Sequence, residues 1–146
     1  MGGNIESGPH IGLWVAEQIS GTYHQGSTAI GLKRNGEIVA GVLYENWNGK
    51  SLTAHMAVTG LLTPGYIAAI FDYAYRVCGV AKVICPVDQT NKRSMKLLRN
   101  MGFVAEAKLK NAAPDGDILL YTLDRADCRF IGDRYGQKCA IATRST

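Results

Sequence analysis

The chain has 146 residues and a mass of 15.8 kDa, enough for one domain with a core of its own. Apolar residues make up 47% and charged ones 19%, which excludes a disordered or fibrous chain. Sixteen Lys and Arg against twelve Asp and Glu give a net charge of +4, enough to favour an anionic partner and too little to name one.

No run reaches the roughly twenty apolar residues that a membrane helix needs. The opening MGGNIESGPH lacks the basic-then-apolar order of a signal peptide, so the expectation is a cytoplasmic protein without membrane contact. Cys78, Cys85, Cys128 and Cys139 form no C-x-x-C pair and have no histidine at ligand spacing, which argues against a bound metal. Cys78 and Cys85 sit inside apolar runs, where a free thiol behaves as a small hydrophobe.

In chain order, Ile11, Trp14, Val15 and Ile19 stand at helical spacing and Gly21 supplies a stop, so a short helix opens the fold. Residues 28–34 and 37–46 are β-rich runs separated by Asn35-Gly36, a strong hairpin signal, and Asn48-Gly49 leads into a third run over 50–58. Thr63 followed by Pro64 reads as an N-cap with proline at the first helical position. Ile67, Ile70, Phe71, Ala74 and Val77 continue one apolar face until Gly79. Tyr66, Tyr73 and Tyr75 on the same helix are read as packing residues.

Residues 80–87 are almost all apolar, the pattern of a strand covered on both faces, and the preceding helix allows it to lie parallel to the strand before it. Asn91 caps a further helix that buries Met95, Leu98 and Met101 and ends at Gly102. Phe103, Ala105, Ala107 and Leu109 then alternate with polar or smaller positions. After the NAAPDG turn, residues 117–124 make the last strand. The expected fold is α/β, one domain over 1–130 with helices on both faces of a mixed sheet, and a tail over 131–146.

Where the strand ending at Val58 meets the helix starting at Pro64, unpaired N–H groups and the positive end of the helix dipole favour an anion. Gly60, Thr63 and Gly65 lie in that junction. Among groups suited to proton transfer, His55 and Glu45 are the candidates, each able to act through an ordered water, and imidazole titrates close to neutral pH. Alternation places His55 on the opposite face from Met56 and Val58. Tyr44 and Trp47, at the end of the 37–46 run, are candidate substrate-lining residues. His10 and His24 fall in loop or helix-edge positions and enter no chemistry on this reading.

The order of elements, together with Asn91-x-x-Ser94 and Met101-Gly102-Phe103, resembles the GNAT acetyltransferase superfamily, in particular its small phage-type members. The Asn-Gly hairpin, Met56-Ala57-Val58 and Phe71-Asp72-Tyr73 agree with it. The resemblance implies an acyl-CoA N-acyltransferase fold, with a mostly antiparallel sheet whose fourth and fifth strands splay. It implies acetyl-CoA as donor and a primary amine as acceptor: a protein N-terminus, a lysine or a small molecule. It places Met56, Ala57 and Val58 on the pantetheine, the amides of Leu61, Leu62, Thr63, Gly65 and Tyr66 on the diphosphate, and Asn91 on the cofactor arm.

Two departures stand out. The family's diphosphate loop, Q/R-x-x-G-x-G/A, is replaced by Leu61-Leu62-Thr63-Pro64-Gly65-Tyr66, and the tyrosine that often protonates the departing thiolate is Leu98 here. Ser94 fits the serine of the branch that acetylates protein N-termini and is the catalytic alternative, with His55 and Glu45 as candidate bases. Relatives often dimerise through their last strands, which makes 124–146 a candidate homodimer interface. The rival readings are an inactive member of the fold that binds CoA or a partner, and a nucleic-acid-binding module. The second rests on residues 91–110, which hold six cations against one acid.

Overall fold

Two turns build the centre of the molecule. Asn35 and Gly36 adopt φ of 55° and 81°, the pair that a two-residue type I′ turn requires, and join β2 (Thr28–Arg34) to β3 (Glu37–Glu45). The Asn48 side chain then accepts the N–H groups of Lys50 and Ser51 at 2.9 and 2.8 Å and turns the chain into β4 (Ser51–Val58). The computed structural model describes residues 3–131. Of the tail and interface expected beyond Asp124, residues 132–146, with Cys139, lie outside the described ones.

Around this meander the chain places β1 (Asn4–Ser7), α1 (Pro9–Gln18), α2 (Pro64–Asp72), β5 (Lys82–Asp88), α3 (Lys92–Asn100), β6 (Val104–Ala113) and β7 (Gly116–Asp124). The seven strands form one sheet in the order β1-β2-β3-β4-β5-β7-β6, antiparallel except for β4 and β5. The sequence carries no signal for β1. Its four mostly polar residues become a strand only because the edge of β2 offers partners, from Asn4 opposite Lys33 to Ser7 opposite Ile30. The helix begun by α2 runs on through a wider π turn over Tyr73–Val77, closed by Cys78 N–H donating to the Tyr73 carbonyl at 2.8 Å.

The sheet is covered on both sides. Ile11 and Val15 of α1 pack with Ala29, Leu43 and Ala57 on one face. A Cβ on Gly41 would stand 2.5 Å from the Val15 side chain, so this close approach requires glycine. The other face carries α2 and α3, with Leu52, Tyr66, Phe71, Tyr75, Val83, Leu98 and Phe103 in one continuous core. Tyr66 and Tyr75 are buried and donate their hydroxyls to the carbonyls of Ile30 and Leu123, the packing role that their spacing suggested. β6 is the exception to its own alternation: as an edge strand with bulges it is exposed almost throughout. Among the described residues no helix is long and apolar enough to cross a membrane.

Candidate active site

The parallel pairing of β4 with β5 stops after Thr53 opposite Ile84, and beyond it the strands part. Pro86 accounts for the stop. Gln89 donates its N–H to the Asp117 carbonyl at 3.0 Å, and the register of β5 with β7 is unbroken from Lys82 to Asp88. Alternation therefore turns residue 86 away from β7 and toward β4, where a proline has no N–H to continue the ladder. The same alternation on β4 gives Thr59 N–H to the Val39 carbonyl and Ala57 to Gly41. The main-chain groups of Met56 and Val58 face the opening.

The opening is a cleft of about 450 Å³ that passes through the sheet. On the α1 face it is walled by Gln18, Ile19, Ser20 and His55. On the other face it meets Met56, Asn91, Ser94 and Leu98, and Ala112–Pro114 of the β6–β7 turn close its rim. His55 stands opposite Leu43 and so shares the α1 face, as alternation predicts. Cys85 lines it from β5, its thiol pushed up to about 12 by burial and so held uncharged. Asp88 takes the backbone N–H and hydroxyl of Thr90 at 2.9 and 2.8 Å, which holds its carboxyl below the usual range.

Glu45 and His55 come together: Oε1 of Glu45 lies 3.1 Å from Nε2 of His55. His24, despite its loop position, brings Nδ1 to 2.8 Å from the other oxygen of Glu45. No sequence signal links positions 24 and 45, because only the folding of the α1–β2 loop over the sheet joins them. These are hydrogen-bond spacings, and among the described residues no group of His, Cys, Asp and Glu is arranged to hold a metal.

At the start of α2 the Thr63 hydroxyl caps the N–H of Tyr66 at 3.1 Å, and the Thr63 carbonyl accepts from Ile67. Tyr66 N–H is thus spent on the cap, and Ala57 is spent on β3; neither main-chain group is open to a cofactor. Among the described residues the N–H groups of Leu61, Leu62, Thr63 and Gly65 meet no hydrogen-bond partner. A Cβ on Gly65 would meet nothing within 4 Å, whereas one on Gly60 would meet Val39 at 2.9 Å. Gly60 thus answers packing and Gly65 lines open space. Arg34 reaches the same loop from β2 and donates to the Leu61 carbonyl at 2.9 Å. On α3, Asn91 Oδ1 accepts the N–H of Ser94 at 3.1 Å, which leaves the asparagine NH₂ and the serine hydroxyl on the cleft.

Tyr44 and Trp47 do not line this cleft. Tyr44 is buried on the α2 face, where its hydroxyl donates to the Ile70 carbonyl at 2.7 Å and its ring lies 4.8 Å from that of Tyr73. Trp47, 61% exposed, donates to the Cys78 carbonyl at 2.9 Å, and both rings border a separate hollow beyond the end of β3.

Neither a protein-family model nor a curated protein matches the sequence. Solved structures match the fold. Spermidine/spermine N-acetyltransferase SpeG from Vibrio cholerae, in mutant form, aligns with a TM-score of 0.60 at 14% identity, over 71% of this chain and 70% of that one. A protein from T. thermophilus classed as an acetyltransferase gives 0.62 at 20%, over 79% and 68%. The N-acetyltransferase PseH from Campylobacter jejuni, solved with acetyl coenzyme A, gives 0.52 at 16%, over 70% of each chain. The fold is that of the GNAT acetyltransferases. Within this GNAT fold the gap between β4 and β5 and the start of α3 meet in a single cleft, with His55 on one wall and Ser94 on the other.

Proposed function

We propose that the chain is an N-acetyltransferase that passes the acetyl group of acetyl-CoA to a primary amine by direct attack within a ternary complex. The observation that carries this reading is the cleft through the sheet, which offers donor and acceptor separate approaches to one point. The open main-chain edge of Met56 and Val58 suits an amide-bearing arm such as pantetheine, because it presents alternating donors and acceptors that no strand among the described residues pairs. The amides of Leu61, Leu62, Thr63 and Gly65, with Arg34 alongside, suit a diphosphate. Lys92 and Arg93 occupy the first turn of α3, where the helix dipole disfavours cations, and a phosphate between them would offset that cost.

Acetyl-CoA supplies a thioester carbonyl open to attack and a thiolate as leaving group. For its part the chain holds the reactants side by side, which supplies much of the acceleration. His55 removes a proton from the acceptor amine, directly or through a water. Ser94 provides a hydroxyl proton on the sulfur side, where Leu98 has none to give. Asn91 offers its amide to the cofactor arm. The acceptor class is a primary amine; SpeG is named for spermidine and spermine, and a protein N-terminus or lysine suits the same chemistry.

The replacement of the usual tyrosine by Leu98 favours one second reading, a GNAT-fold protein that binds CoA without turnover. Calorimetric titration with acetyl-CoA, followed by free-thiol release across a panel of peptide N-termini, lysine peptides and polyamines, separates the two. Binding with thiol release supports the enzyme. Binding without release from any acceptor supports the second reading, and no binding rejects both.

A further inference from the structure

Glu45 uses both carboxylate oxygens on imidazoles, Oε1 on His55 and Oε2 on His24. The arrangement runs from inside to outside: the side chains of Glu45 and His55 are 13% and 23% exposed and that of His24 is 71%. Glu45 faces Thr53 and His55 faces Leu43 across β3 and β4, so the two side chains are diagonal neighbours on one face. The loop that carries His24 is pinned twice. Tyr23 packs into the space beside Gly12 of α1, and Ser27 N–H donates to the His24 carbonyl at 3.1 Å.

An ionised carboxylate only accepts hydrogen bonds, so each ring must donate to it. This fixes the tautomers of the neutral rings. His24 carries its proton on Nδ1 and His55 on Nε2, which leaves the lone pair of His55 on Nδ1. We propose that His24 and Glu45 are positioning residues for the reaction: His24 holds the Glu45 carboxylate, and the carboxylate holds the His55 ring with Nδ1 as the base. The inference rests on the acetyltransferase reading above. The acceptor amine gives its proton to Nδ1 of His55, and the resulting imidazolium keeps its Nε2–H on Glu45, whose negative charge offsets the new positive one. The proton leaves from Nδ1 to water once the product departs.

Few other charges act on this ring. Of the titratable groups lining the cleft besides His55, Cys85 is buried on β5 and Asp88 is tied to Thr90; α1 and the residues after it contribute the uncharged Gln18, Ile19 and Ser20, α3 contributes Asn91 and Ser94, and among the described residues no Lys or Arg lines it. Among the described residues Glu45 is the ionisable group in hydrogen-bond contact with His55.

The test has a spectroscopic arm and a kinetic arm. Nitrogen-15 NMR of the free protein at pH 8 is expected to show Nδ1–H for His24 and Nε2–H for His55. The reverse tautomers, or unrestrained exchange in both rings, would overturn the chain of bonds. In turnover with acetyl-CoA and the best amine of the panel, His24→Ala is expected to lower kcat about fivefold with KM for acetyl-CoA unchanged, and His24→Asn, which keeps a donor near the Nδ1 position, to restore most of it. Glu45→Gln, which removes the counter-charge of the imidazolium, is expected to lower kcat about tenfold with KM for acetyl-CoA unchanged. If the unaltered chain turns over and His24→Ala matches it in kcat and pH profile, the positioning role falls and the acetyltransferase reading stands. If the unaltered chain neither binds acetyl-CoA nor releases thiol, both fall, even with the tautomers as described.

Discussion

Gln89 grips Asp117 from two directions. Its side-chain Oε1 accepts the Asp117 N–H at 2.8 Å while its own N–H donates to the Asp117 carbonyl at 3.0 Å. The clamp ties the β6–β7 hairpin to the approach of α3, and thereby sets Ala112–Pro114 at the rim of the cleft.

Gln89→Ala removes the side-chain half of this clamp. The expected cost is about 1 kcal/mol of stability. Hydrogen exchange should show the effect locally, with the amide of Asp117 and those of the hairpin turn losing protection while β2 and β3 keep theirs. An unchanged exchange pattern would mean that the strand ladder alone holds the hairpin.

Gly65→Asp separates folding from binding. The position has open space for a side chain, and an acid in the first turn of a helix favours the dipole, so thermal stability should hold or rise slightly. The same carboxylate would repel a diphosphate. Acetyl-CoA affinity is expected to fall at least about tenfold, a difference of roughly 1.4 kcal/mol, as read by calorimetry. Undiminished affinity would move the phosphate site elsewhere.

Ser94→Ala keeps the helix cap, because the cap uses the Ser94 backbone N–H and the Asn91 side chain. Its expected signature is a lowered kcat with acetyl-CoA affinity nearly unchanged. Stopped-flow thiol release under single turnover checks it; equal rates in both proteins would remove the hydroxyl from the proton path.

Stability should fall in alkali in a defined order. Burial raises the Cys85 thiol to about 12, and Tyr44, Tyr66 and Tyr75 are raised by burial as well. These groups ionise in the unfolded chain first, so the unfolded state binds fewer protons above about pH 8.5, where a free thiol titrates. Urea midpoints are expected to be insensitive to these groups below that pH. They should then decline as Cys85 comes into play, and decline more steeply above about pH 10 as the tyrosines follow. Cys85→Ser should make the decline shallower from about pH 8.5 to about pH 12, by the contribution of one proton.

Local chemistry made much of the fold legible. Asn35-Gly36, Thr63-Pro64 and the Asn91 cap each act through their own backbone, and the structure has all three. Relations across the sheet were less legible. β1 has no pattern of its own and exists through its partner, and the β6 alternation did not reveal that the strand lies exposed among the described residues. At the site, alternation gives the face of His55, and by the same rule Tyr44 points the other way, toward α2. His24 was beyond reach because its partner lies 21 positions along the chain.

Pro86 gives the cleft a further property. Because an imino acid interrupts the ladder between β4 and β5, the strands have no hydrogen bond to regain at that position, and a visiting molecule has none to break there. The gap in the sheet belongs to the resting protein. Little reorganisation free energy need then be spent when a ligand arrives, and on this account association should proceed at a rate governed by encounter and orientation rather than by a slow opening of the sheet.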